Sequence, residues 1–173
     1  MKITDAAVFP YPNGDTSVRR FALEAAALGF DSLVAIDTPP VTVGGVEVRS
    51  GVILRDRPVR DIVNCVKRFR GTDTVVSVMA ADVGFTRAVI GLNGVHILRG
   101  IHNADKMAFD HVTAKMAADN RVAIDIDLSV IPMTRGISRQ RAIARYRDVL
   151  VLEERFGFPL TISTNARSAL DLR

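Results

Sequence analysis

The sequence predicts an α/β protein with a single TIM-like β/α barrel over residues 1–173, and with its eighth unit missing at the C-terminus. Three observations carry this. Short β-rich runs alternate with helical patterns almost from end to end, which implies parallel strands joined by right-handed crossovers. Hydrophobic residues make up 48% of the chain, but aromatics only 6% and with no Trp, so the core must be built from Val, Ile, Leu and Ala. A chain of 173 residues also suits one core and needs no second domain.

In order, KITDAAV reads as a strand and SVRRFALEAAALGF as a helix. DSLVAID is a second strand, followed by VEVRSGVIL, with Gly44-Gly45 placed to join a small hairpin. RPVRDIVNCVKRF, FTRAVIGL, FDHVTAKMAADN and SRQRAIARYRDVLVLEERFG carry helical periodicity. Between and after them come DTVVSVMA, GVHIL, VAIDIDL and PLTIST, which brings the strands to seven. No linker or low-complexity segment divides the chain.

Cys65 stands alone, so neither a disulfide framework nor a thiolate metal site can be drawn, and it reads as a small buried helix residue. No apolar run is long enough for a signal peptide or a membrane span, and the expectation is a cytoplasmic protein with no membrane partner.

In VAIDIDLS, alternation places Val122, Ile124, Ile126 and Leu128 on one face, toward helices, and Asp125, Asp127 and Ser129 on the other. The two carboxylates would point into the barrel near its C-terminal mouth, where enzymes of this fold hold their chemistry. With His96, and with Thr161 and Ser163 from the last strand, they could form a metal-assisted hydrolase site. The competing reading is that Arg49 or Arg99 neutralises them in a polar lumen. The first strand has no His-x-His pair, and there is no Walker loop, G-x-S-x-G or G-x-G-x-x-G.

The net charge of +4 is a weak pointer by itself, yet all but four of the 23 basic residues are arginine. A GC-rich genome would give the same bias; so would a phosphate-binding role. MTRGISRQRAIARYR, residues 133–147, concentrates Arg135, Arg139, Arg141, Arg145 and Arg147. Ser138 reads as the N-cap of its helix. At about 100° per residue, Ala142, Ile143, Tyr146, Val149 and Leu150 share the face to be buried. Arg141 and Arg145 lie opposite, with Asp148 in reach of Arg145. One carboxylate does not balance the cluster. It is either a solvated face or a surface for RNA phosphates, and exposed ion pairs are too weak for stability to explain it.

DHVTAKMAADNRVAIDIDLS resembles the protein component 3 family of archaeal ribonuclease P, whose eukaryotic counterpart is a 30-kDa subunit. Further matches follow in the same order: RSGVIL at 49–54, VRDIVNCVKRF with Arg60, TRA with Arg87, the Arg-Gly-x-x-Arg-x-Arg run from Arg135, and TISTNARSALDLR at the end. The resemblance implies a barrel fold and membership of a ribonucleoprotein that removes the 5′ leader from precursor tRNA. Its implied partners are the ribonuclease P RNA, protein component 2 and the other ribonuclease P proteins. The chain itself would hold no cofactor and no metal and would have no catalytic residue, the magnesium being expected at the active site of the RNA. Arg60, Arg87, Lys115, Arg135 and Arg173 match basic positions of the family pattern and are the expected RNA contacts. Arg139, Arg141 and Arg145 join them from the helical argument. Arg60 and Arg87 could instead be held by intramolecular carboxylates. The chain departs from the family pattern at His96, at Asn165-Ala166, and in lacking a Pro-Arg-Asp segment beyond Asp171-Leu172-Arg173. The expectation is a barrel left open on one side or covered there by a partner.

Overall fold

The computed structural model describes residues 3–172, so Arg173 lies outside the described residues. Eight strands are present: β1 (Thr4–Val8), β2 (Ser32–Ile36), β3 (Val41–Val43), β4 (Val46–Leu54), β5 (Val75–Met79), β6 (Ile97–Arg99), β7 (Ala123–Asp127) and β8 (Leu160–Ser163). Seven of them pair in parallel in the order β1-β2-β4-β5-β6-β7-β8. These are the seven strands expected from the sequence. β3 pairs antiparallel with β4 across Gly44-Gly45, the small hairpin that the glycine pair led one to expect, both glycines having positive φ.

The helices are α1 (Val18–Leu28), α2 (Val59–Phe69), α3 (Val83–Ile90), α4 (His111–Asn120), the four-residue α5 (Val130–Met133) and α6 (Gly136–Phe156). Their ends follow local chemistry. The Ser17 hydroxyl caps α1 by accepting from the Arg20 N–H, and Gly29 closes it in the left-handed conformation. Asp82 and Asp110 cap α3 and α4 by accepting from the Phe85 and Thr113 N–H groups, each at 2.9 Å.

The sheet curls until β8 faces β1, but no ladder joins them. The seam is held by a single parallel bridge, Val8 with Ala166, by the Phe9 N–H donating to the Ala166 carbonyl at 2.8 Å, and by contacts of Asp5 with Thr164. The barrel is therefore nearly closed, with an unsealed seam.

The main core lies between sheet and helices. Val78, Leu98 and Ile124 meet Ile62, Val66, Val89 and Val149, beside a T-shaped contact of Phe109 with Phe158 at 5.4 Å. A second cluster seats Phe21, Ala22 and Ala25 of α1 on Leu33, Ala35, Val46 and Val48. Ala6, Ile97 and Ala123 form a further, smaller cluster. Ile124 and Ile126 face the helices as the alternation of β7 predicts, while Leu128 lies beyond the strand and is exposed.

Three local expectations are corrected. Ser138 is inside α6, not its N-cap; the chain enters the helix through Gly136, at φ +56°, and the flanking Arg135 makes no side-chain cap. Ile143 and Leu150 are exposed, because the buried seam of α6 runs through Ala142, Tyr146 and Val149, and residues one position further along are rotated by about 100°. Cys65 is half-buried rather than buried, at the margin of the core with the Arg57 guanidinium 3.6 Å from its sulfur.

Candidate nucleic-acid interface and the barrel mouth

The register of β7 with β8 sets Asp125 beside Thr161 and Asp127 beside Ser163. Asp125 points into the barrel and is almost wholly buried. Its carboxylate accepts from the Ser163 hydroxyl at 2.7 Å and the Thr161 hydroxyl at 3.1 Å, and pairs with Arg99 at 3.0 Å. Arg99, at the end of β6, is 3% exposed and also donates to the Ser163 hydroxyl and the Asn165 side-chain carbonyl. Burial pushes the Asp125 carboxyl above its usual range, against the opposing pull of Arg99 and the two hydroxyls.

Asp127 is engaged differently, its Oδ1 accepting from both the N–H and the hydroxyl of Ser129. Of the two arginines considered as counter-charges, Arg99 takes the role. Arg49 pairs instead with Glu47 on the surface. His96 sits just ahead of β6, at the opposite end of the barrel from the mouth, where its Nδ1 accepts from the Val76 N–H. The hydrolase constellation of Asp125, Asp127 and His96 therefore does not assemble. Among the described residues, no group of three or more His, Cys, Asp or Glu side chains could hold a metal ion.

The histidine that does approach the mouth is His102. Its Nδ1 lies 2.7 Å from the Tyr146 hydroxyl, which also bridges the backbone of Asp127. Burial draws the His102 pKa down, against the pull of Asp127 and Asp125, and pushes the Tyr146 phenol up. This contact ties α6 to the loop after β6 and to the end of β7.

α2 and α6 follow closely on the C-terminal ends of β4 and β7, so Arg60 and the first half of α6 lie at the mouth end of the barrel. Arg60, Arg135 and Arg141 are exposed, as is Lys115 on α4. Arg139 donates from Nε to the Thr134 carbonyl at 2.8 Å and stays partly exposed. Arg145 is half-buried and leans over the loop after β6, toward the carbonyls of Ile101 and Asp105 at 3.5 and 3.4 Å. Burial lowers its pKa, opposed by Asp148 and Asp105, although Asp148 forms no ion pair with it. Arg87 is held: its guanidinium meets Asp110 at 2.8 Å and reaches the Thr113 hydroxyl. The carboxylate partner considered from the sequence is thus found for Arg87 and not for Arg60. Among the described residues no ion pair involves Arg60, Lys115, Arg135, Arg139, Arg141 or Arg145.

Sequence reasoning passed over Arg55 and Arg167. They follow the C-terminal ends of β4 and β8 and line the mouth with Arg99, Asp127 and Asn165. The rule that functional side chains gather where barrel strands end would have found them.

The family model of ribonuclease P subunit p30 matches residues 2–173. The chain belongs to that family. It is 31% identical to ribonuclease P protein component 3 of Halorubrum lacusprofundi, over 96% of this chain and 76% of the relative. Against the protein of the same name from Haloarcula marismortui it is 32% identical, over 96% and 75%. A chain in a cryo-EM structure of archaeal ribonuclease P with mature tRNA superposes with a TM-score of 0.80 at 21% identity, covering 97% of this chain and 77% of that one. The histidinol phosphate phosphatase of Lactococcus lactis, in complex with zinc, L-histidinol and phosphate, shares the fold at a TM-score of 0.66 and 10% identity, covering 97% and 87%. Family membership makes the chain a ribonuclease P protein subunit, and Asp125, Asp127 and His96 do not come together as the barrel-hydrolase alternative requires. None of its helices, among the described residues, is long and apolar enough to cross a membrane.

Proposed function

We propose that this ribonuclease P subunit supports RNA-catalysed removal of the 5′ leader from precursor tRNA by lending guanidinium and ammonium groups to RNA phosphates. In this reading the RNA holds the catalytic magnesium, and the chain acts beside protein component 2 and the other protein subunits. The observation that carries it is the family match over residues 2–173. Supporting it, Arg60, Lys115, Arg135 and Arg141 are exposed basic groups without an ion-pair partner among the described residues, whereas Asp125 is committed to Arg99. Arg87 and Arg145 act from fixed positions, Arg139 from its bond to Thr134, and Arg173 is a further proposed contact.

Precursor-tRNA cleavage reconstituted with the RNA and the partner proteins tests the reading. The chain alone should cleave nothing. Replacing Arg60, Lys115, Arg135 and Arg141 together by Ala should weaken its contribution to the complex and flatten the salt dependence of RNA binding, by about one unit of log–log slope for each phosphate that is no longer neutralised. Cleavage by the isolated chain, abolished by Asp125→Asn, would overturn it.

A further inference from the structure

The mouth carries a second group of arginines, separate from those on the helices. Arg55, Arg99 and Arg167 line one pocket of about 230 Å³, and Arg55 and Arg167 continue into an adjoining polar pocket of about 170 Å³ with Phe9, Asn13 and Asp37. Arg55 makes no ion pair among the described residues. Arg167 is pre-positioned: its Nη1 donates to the Asn13 carbonyl at 2.9 Å and its guanidinium lies over the Phe9 ring, 5.1 Å from the centroid. Behind them, Arg99 spends Nη2 on Asp125, Ser163 and Asn165, while its buried Nη1 has no hydrogen-bond partner. A buried guanidinium nitrogen without an acceptor is costly.

Three carboxylates face the same space. Asp125 is occupied by Arg99 and two hydroxyls, and Asp127 uses one oxygen on Ser129. Asp37 shares the rim with Arg55 and Arg167 but pairs with neither. The unused hydrogen-bonding capacity on the arginine side is in donors, which suits an oxyanion.

We infer that the barrel mouth is a phosphate-binding pocket in which Arg55 and Arg167 receive one phosphate group of an RNA strand, with the buried Arg99 behind them adding its charge. The inference rests on the RNA-binding reading and locates a contact distinct from the helical arginines. A pocket of about 230 Å³ is large enough to hold a phosphate group.

The test uses the full chain with ¹⁵N-labelled arginine side chains, titrated with inorganic phosphate. It is then repeated with a short single-stranded oligoribonucleotide bearing or lacking a 5′ phosphate. The Nε resonances of Arg55, Arg99 and Arg167 should move together on one binding curve. The exposed pair Arg55→Ala and Arg167→Ala should weaken phosphate binding at least tenfold, and Asp37→Asn should tighten it several-fold. Equal binding of both oligonucleotides would assign the pocket to an internal phosphodiester, and preference for the phosphorylated one to a strand end; either supports the proposal. Movement of the α6 arginines alone, or unchanged phosphate binding by the double variant, would overturn it while leaving the cleavage experiment free to succeed. A pocket that binds phosphate in a chain that fails to support cleavage would instead remove the RNA reading.

Discussion

At the scale of single residues, backbone crowding and buried charge decide what can change. A Cβ on Gly14 would stand 2.1 Å from the Phe9 carbonyl oxygen and 2.3 Å from that of Arg167, both backbone atoms that cannot rotate away. Gly14→Ala should therefore push the loop before α1 off the segment after β8. The expected loss is about 1–3 kcal/mol in chemical denaturation, as for other overpacked sites. Arg99 and Asp125 form the other sensitive point. Arg99→Met strands a buried carboxylate and should cost about 3–5 kcal/mol, whereas Arg99→Met with Asp125→Leu should cost clearly less than the two changes summed. Equal costs in that double-mutant cycle would show that the pair is not energetically coupled. The inward direction of Asp125 was legible from alternation alone, because a strand has only two faces. Its choice of Arg99 over Arg49 was not, since that depends on which neighbouring strand turns a long side chain inward.

At the scale of elements, caps and seams separate stability from surface. Asp110 begins α4 and ties it to α3 through Arg87. Desolvation raises its pKa, but the Thr113 N–H and hydroxyl and the Arg87 charge outweigh that and leave it below the usual carboxylate value. A depressed carboxylate adds stability at pH values above its unfolded pKa and loses it as pH falls through the folded one. Asp110→Ala should thus cost about 0.5–2 kcal/mol at neutral pH and progressively less in acid, read from denaturation midpoints across pH. On α6, Ile143→Gln should change stability by no more than about 0.5 kcal/mol, because Ile143 is outside the packed seam. The strands and the five longer helices were legible because period 2 and period 3.6 survive in the sequence. The start of α6 and the outward turn of Ile143 and Leu150 were not: a glycine at positive φ sets the start of the helix, and periodicity gives the breadth of an apolar stripe without saying how much of it a neighbour covers.

At the scale of the whole molecule, the barrel left open on one side, as seven strands led one to expect, is closed by polar contacts rather than a strand ladder. Asp5 crosses the seam, accepting from the N–H groups of Ala7 and Thr164 and bonding the Thr164 hydroxyl. Burial is the largest influence on its pKa and raises it, with Asp125 adding to the rise and the three hydrogen bonds opposing. A carboxyl whose folded pKa is raised contributes stability that is complete below its unfolded pKa and disappears as pH climbs through the folded value. Asp5 and Asp125 therefore make the barrel favour mildly acidic conditions, the reverse of the effect of Asp110. Asp5→Asn keeps an acceptor for both N–H groups and offers the Thr164 hydroxyl a donor without any charge to bury. This variant should match the parent below the usual carboxylate pKa, exceed it at neutral pH, and show slower amide exchange at Phe9, whose N–H spans the seam to Ala166. Should Asp5→Asn instead destabilise the protein at every pH, with faster exchange at Phe9, then the ionised carboxylate itself holds the seam shut, and the burial argument for Asp5 has the wrong sign.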